Sequence, residues 1–486
     1  VSGFDAIDYG TKTKTMPNRY SAFTNDALGV LDATAITERI RRREISLEEA
    51  LDAAVLRAKG AQDVLCAMAA TDFDRVKLRA KRFVDPAGLL SVPAFVKDNV
   101  NLAGLPTRFG SKATTSRPAR MTDGLVAQLE ACGLYMIGKS TTPAFGFGCT
   151  TEFDDGSSPT KNPWNLSLSA GGSSGGAAAL VASGVVPMAH ANDGGGSIRI
   201  PAAICGLVGL KPSRGRLVRN RKGDLMPIDI VSDGVVTRTV RDTANFFYEA
   251  ERYFQPPKLS PIGRVEGPSK KRLRVGVIYD SVLTSPCAET RRAVDDTVTL
   301  LTSLGHDVEE TQFEGPPRFA RDFSLYWGFL AFSVERFGPR IFSNDFDPGK
   351  LDALTRGLAK HFRKHPVEAI RAISYLRRVK EADFVRTSKY DVVLSPVLAR
   401  TTPALGVLSP AVPFDVLFER LQQYVGYTPL ANVAGTPAIS LPLARSRDGE
   451  PIGLQFSAPF GEERRLLELA FELEEARPWP QLWSAS

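Results

Sequence analysis

Hydrophobic and polar positions along this chain change period several times, and the changes mark out its elements. Residues 29 to 84 carry a helical pattern, with Ser46 and Glu49 forming a capping-box signature ahead of LDAAVLRA. The apolar run SVPAFVK, ending at Lys97, reads as a strand. A helix near 122 to 132 and the short apolar strand LYMIG at 134 to 138 follow. Two glycine-serine loops then flank the small-residue helical stretch AAALVASG. Beyond them come a helix near 240 to 253, a Pro/Gly/Lys-rich connection at 256 to 271 and the strand LRVGVIY at 273 to 279. A helix-rich stretch runs to about 389, and the apolar strands VVLSP at 392 to 396 and AISLPL at 438 to 443 return the chain to its core. Such alternation predicts an α/β protein, a mixed sheet flanked by helices. No internal repeat is visible.

Composition narrows the class. Among 486 residues, 43% are hydrophobic and 24% charged, ordinary globular values that support a sizeable core. The net charge of +7 is spread over too long a chain to imply a nucleic-acid groove or a membrane patch. Arg41, Arg42 and Arg43, and Lys270, Lys271 and Arg272, read as solvated surface. Five cysteines without regular spacing argue for reduced thiols and a cytoplasmic setting, against a disulfide framework or a zinc site. The first 20 residues hold no apolar core of signal-peptide type, and no membrane-spanning run appears.

The chemistry concentrates at 171 to 212, GGSSGGAAALVASGVVPMAHANDGGGSIRIPAAICGLVGLKP. Glycines 171, 172, 175 and 176 uncover backbone N–H groups around Ser173 and Ser174, and Gly194, Gly195 and Gly196 do so just before Ser197. A serine behind a row of bare N–H groups can be a nucleophile beside an oxyanion hole. The Gly-Lys-Ser/Thr ending of a phosphate-binding loop is missing. His190, His306, His361 and His365 fit no Ser-His-Asp motif, so another base is required.

This segment resembles the amidase signature family, as do GKSTTPAFGFGCTTE at 138 to 152, TKNPWN at 160 to 165, PLANVAGTPAISLPL and PIGLQF. Around the catalytic loop the chain looks closest to the bacterial amidases that include the 6-aminohexanoate cyclic dimer hydrolases. The resemblance implies an amidase-signature fold, a large mixed twisted β-sheet core flanked by helices on both faces. It also implies an amidohydrolase that uses a Ser-Ser-Lys triad and an acyl-serine intermediate, with no cofactor and no metal. By position, Ser197 matches the nucleophile, Ser173 the bridging serine and Lys97 the lysine. Gly194, Gly195, Gly196 and Ser197 match the oxyanion hole, and Asp193 and Arg199 the charged pair that orients the loop. Phe145, Cys149 and Tyr424 are expected at the substrate pocket.

A lysine acts as a base only when neutral, and burial at an apolar strand end lowers its proton affinity. Strand alternation should turn the adjacent Asp98 to the opposite face. Ser174 is expected to cap the following helix, and His190 stands where many family members carry Leu or Gly. Ala144 and Gly194 also depart from the family, which commonly has Glu, and Thr, Ile or Ala, at those positions.

The expected organisation is an N-terminal arm at 1–27 and one domain at 28–486. That domain has its signature core at 90–215 and a variable helical part, which shapes the substrate channel, at about 316–389. The expected partner is a small-molecule amide, linear or cyclic; a homodimer is among the expected assemblies. The apolar stretch 414 to 428 should be partly helix core and should place one or two residues at the acyl site, favouring an apolar or aromatic acyl group. Two alternatives differ in kind. A glutaminase subunit of a tRNA-dependent amidotransferase shares the triad but needs a partner subunit. A non-catalytic binding protein on the same fold would have lost Lys97, Ser173 or Ser197, and all three are present.

Overall fold

The computed structural model describes residues 18–80, 88–114, 117–219, 226–312, 318–379 and 390–484. Residues 1–17 of the expected arm and 380–389 of the expected helical part lie outside the described residues. The remainder of the arm is tied down, Tyr20 N–H donating to Pro163 O and Ala22 N–H to Ser183 O.

Among the described residues thirteen strands form three sheets. The first seven are β1 (Met68–Thr71), β2 (Val92–Lys97), β3 (Leu134–Ser140), β4 (Lys161–Asn162), β5 (Asn165–Ser169), β6 (Met188–Asp193) and β7 (Val208–Lys211). The others are β8 (Ser232–Thr237), β9 (Arg274–Val277), β10 (Asp307–Glu310), β11 (Val392–Pro396), β12 (Ala438–Arg445) and β13 (Pro451–Ser457). Eight of them make one mixed sheet in the order β10-β9-β11-β13-β12-β7-β8-β6. Its β10-β9-β11 end is parallel and the rest antiparallel. A smaller sheet, β1-β3-β2, meets the large one where β2 packs beside β6. Lys97 ends β2 and Asp193 ends β6, so this seam places the lysine next to the serine loops.

Close approach of backbone fixes the layer above the sheet. The helix Arg199–Cys205, which begins two residues after Ser197, packs on β7, β12 and β13. It crosses Gly209 and Gly453, where an added Cβ would lie 2.6 Å from Ala202 Cβ and 2.4 Å from Ala203 Cα. The helix Gly175–Ala182 is buried all round, as its uniformly small apolar residues require. Helices Phe319–Ile341, Ala353–Lys364 and Pro366–Leu376 pack on one another in the stretch expected to be helical.

The capping box at Ser46 forms as expected, Glu49 N–H donating to Ser46 Oγ and Ser46 N–H to Glu49. The continuous helical pattern over 29 to 84 is broken, however. Strand β1 interrupts it because Met68–Thr71 pairs antiparallel with β3, and that tertiary pairing overrides the helix preference of two alanines. Among the described residues no helix is long and apolar enough to cross a membrane.

Candidate active site

Lys97 is wholly inaccessible, and its Nζ touches three oxygens. It donates to Ser173 Oγ at 2.7 Å, Ser174 Oγ at 2.9 Å and Asn192 Oδ1 at 2.7 Å. Burial lowers its proton affinity most, against the partial opposition of Asp233 and Asp193, and brings its pKa down to about 7. Asp98, next in the chain, does point away; it pairs with Lys139 at 2.8 Å.

Ser173 follows a cis peptide bond from Gly172 and lines the same cavity as Ser197. The two hydroxyls are not hydrogen-bonded to each other here, so the structure brings Lys97 to Ser173 and both serines to one space. Ser174 corrects the expectation of a cap. It occupies the N-cap position of Gly175–Ala182 but makes no side-chain cap bond; its hydroxyl instead accepts from Lys97 and donates to Asn192 O at 3.3 Å.

These contacts dictate the geometry of a neutral amine. Asn192 Oδ1 can only accept, so it takes one N–H. Ser174 spends its own proton on Asn192 O and therefore takes the second. In the ammonium form Lys97 donates to Ser173 as well, whereas loss of that proton would leave the lone pair directed at the Ser173 hydroxyl. Asn192 was missed in the sequence. The usable signal was the alternation of MAHAND, which sends His190 and Asn192 to one face of β6.

The loop that carries Ser197 is held from below by Asp193. Its carboxylate accepts from Gly196 N–H at 2.6 Å, Ile198 N–H at 3.2 Å and Arg199 Nε at 2.9 Å, capping the short helix that follows. Burial opposes its charge, but the Arg199 guanidinium beside it holds the carboxyl well below the usual carboxylate range. Arg199 also reaches Gln455, Thr428 O and Asn432, while Thr428 Oγ1 donates to Gly195 O at 2.6 Å. Gly196 has φ +131, and a Cβ there would strike Thr428 Oγ1 at 2.4 Å, so only glycine fits.

The expected row of four oxyanion donors is thereby shortened. Of these four, Gly196 N–H is taken by Asp193, while the backbone N–H groups of Gly194, Gly195 and Ser197 have no protein acceptor among the described residues.

Behind the lysine, His190 Nδ1 accepts the Lys97 backbone N–H at 3.2 Å, and Nε2 faces Asp233 Oδ1 at 3.1 Å. With Nδ1 accepting, the ring proton sits on Nε2 and donates to Asp233.

Ser173 and Ser197 open onto a cavity of about 350 Å³, a volume suited to a small ligand. Phe145 and Cys149 line it, the former in the left-handed region (φ +53) with its N–H donated to Phe109 O and its ring against Phe342. Burial pushes the Cys149 thiol up, so it stays protonated. Phe323, Trp327 and Leu330 of the Phe319–Ile341 helix form another part of the wall. Tyr424 does not belong to it. That ring is 2% exposed in the main core with its hydroxyl on Thr401 O, because the helix Phe414–Tyr424 turns Leu421 and Gln422, rather than its last residue, toward the cavity.

Comparison with known proteins agrees with this architecture. The Amidase family profile matches residues 49–467. The chain is 45% identical to the putative amidase AmiC of Mycobacterium bovis over 96% of its own length and 98% of that protein. It is 31% identical to the 6-aminohexanoate-cyclic-dimer hydrolase of Paenarthrobacter ureafaciens, over 94% of this chain and 97% of the other. A solved structure of 6-aminohexanoate cyclic dimer hydrolase complexed with substrate superposes with a TM-score of 0.84 at 29% identity, covering 93% of this chain and 98% of that one. Similarity over nearly the whole chain, on a fold that brings its buried lysine to two serine loops, makes this protein a member of the amidase signature family, hydrolases acting on amide C–N bonds.

Proposed function

We propose that the chain hydrolyses a small carboxamide with an apolar or aromatic acyl group through an acyl-enzyme on Ser197, with Lys97 as base and Ser173 as proton relay. The observation that carries this reading is the Lys97 amine: buried, touching no carboxylate, and aimed at Ser173 by Asn192 and Ser174. As Ser197 Oγ attacks the carbonyl carbon, its proton passes to Ser173, whose own proton passes to Lys97. The N–H groups of Gly194, Gly195 and Ser197 supply donors for the oxyanion. Collapse of the tetrahedral intermediate breaks the C–N bond, and the amine leaves with the proton returned through Ser173. Water then releases the carboxylate by the same route.

The acyl preference rests on the cavity wall. Its aromatic rings offer apolar contact, and its charged groups already have partners: Arg219 with Asp229, Arg216 with Glu463 and Glu251, Asp233 with His190. A free amino acid such as glutamine would find little to neutralise its ionic groups. Five free cysteines suit a reducing compartment, and the reading places the enzyme in the cytoplasm.

A serine-directed phosphonate tests the mechanism. It should modify Ser197, and Ser197→Ala should remain folded, resist labelling and lose amide hydrolysis. Modification elsewhere with Ser197 intact removes the assignment.

A further inference from the structure

We propose that the His190–Asp233 pair is a positioning device for Lys97, fixing its backbone from behind while the Asp233 carboxylate sets the pH range in which the base is free. The inference rests on the reading of Lys97 as the base and adds to it two residues outside the triad.

Three observations converge on it. Lys97 is the last residue of β2, and its buried N–H finds its acceptor in a side chain, His190 Nδ1. Left without one, that N–H would carry the full cost of a buried unpaired donor, so His190 holds the strand end at the seam between the two sheets. That role confines the ring to one tautomer and directs its single N–H to Asp233. In the register of β6 with β8, Asp233 stands directly opposite Asn192, the residue that grips Lys97 Nζ. Paired residues share a face, so the carboxylate, the histidine and the asparagine lie on the side of the sheet that meets the lysine.

The charges around Lys97 single out Asp233. From β6 comes Asp193, bound to Arg199; beyond β2 comes Asp98, bound to Lys139 of β3. The serine loop contributes only the hydroxyls of Ser173 and Ser174. Asp233 alone among these carboxylates is paired with a histidine rather than with a lysine or arginine, and in this tautomer the ring is neutral. It lines the cavity and is the foremost charge opposing the effect of burial on Lys97. Its negative charge stabilises the ammonium form, so removing it should free the base at lower pH.

The test is the pH dependence of phosphonate labelling at Ser197, followed in the intact protein and in Asp233→Asn, with circular dichroism melting for each. Asparagine keeps an oxygen for His190 Nε2–H and removes only the charge. The acid-side midpoint of labelling should move down by about one pH unit, and Asp233→Glu should restore it. Asp233→Ser carries the same comparison if the asparagine variant does not fold. A midpoint unchanged in the charge-removing variants, with rates altered equally at every pH, overturns the inference and leaves the pair a purely structural one. Failure of the underlying reading looks different: the unsubstituted protein itself would show no acid-side midpoint, or no label at Ser197.

Discussion

Asp98 and Lys139 form an ion pair of 2.8 Å with both side chains almost fully buried, one strand away from Lys97. Lys139 also donates to Thr107 Oγ1 and Pro106 O, so the ammonium is fully engaged. A carboxylate adjacent in sequence to a buried lysine would ordinarily keep that lysine charged. Here a second lysine takes it, and Lys97 is released from its neighbour.

Breaking this pair should therefore cost stability rather than alter chemistry directly. Lys139→Met should destabilise the fold by about 3–5 kcal/mol, since it leaves a buried carboxylate unpaired. Burial already raises the proton affinity of Asp98. A group so raised favours the folded state when protonated, so the deficit should be smallest in acid and grow as pH rises. Thermal melts of the variant and the parent across pH measure both the size and the sign.

The Lys97 amine, brought to about 7 by burial, predicts the pH profile. Below that value the ammonium form dominates and cannot accept a proton, so kcat/KM should fall about tenfold per pH unit on the acid side. Lys97→Ala should lose several orders of magnitude at every pH. A flat acid limb, or a variant within about tenfold of the parent, contradicts the assignment.

Lone-pair orientation predicts different outcomes for the two adjacent serines. Ser173→Ala removes the relay and should reduce turnover by orders of magnitude. Ser174→Ala removes one acceptor from Lys97 and leaves the route intact, so a loss of about tenfold in kcat is expected, equivalent to one modest hydrogen bond. Asn192→Leu takes away the acceptor-only partner and should cost more than Ser174→Ala. Steady-state rates of the three variants on one amide rank them.

Substrate choice follows from the wall of Phe145, Phe323, Trp327 and Leu330. Aryl and aliphatic amides should be hydrolysed faster than glutamine by the isolated chain. Trp327→Ala should raise KM for aryl amides more than it lowers kcat, because the ring contributes binding rather than chemistry. Should glutamine be the best substrate, or should activity need a second subunit and tRNA, the amidotransferase reading replaces this one.

The glycines of the two serine loops can be read from the letters alone, but Lys97, Ser173 and Ser197 were singled out by the resemblance to the amidase signature family, since an apolar run ending in lysine does not by itself mark a buried base. Asn192, His190 and Asp233 were harder. Their relation to Lys97 spans more than 90 residues and exists only through sheet pairing, which a single sequence does not state. Ser174 was misread for a related reason: a serine before a helix usually caps it, but here a buried amine offers a stronger partner. Tyr424 was misplaced because a helical stripe rich in rings looks alike whether it faces a core or a cavity. Strand β1 escaped notice since its alanines become extended only by lying against β3.

The anchoring of Arg199 bears on how the enzyme is made. Its guanidinium is held by Thr428, Asn432 and Gln455, residues 229 to 256 positions further along the chain. During translation the Ser197 loop leaves the ribosome long before any of them has been added. Until they are added, the loop has only its local bonds to Asp193 and lacks these long-range partners. The full set of Arg199 contacts is thus assembled only once residues far downstream of the loop are in place.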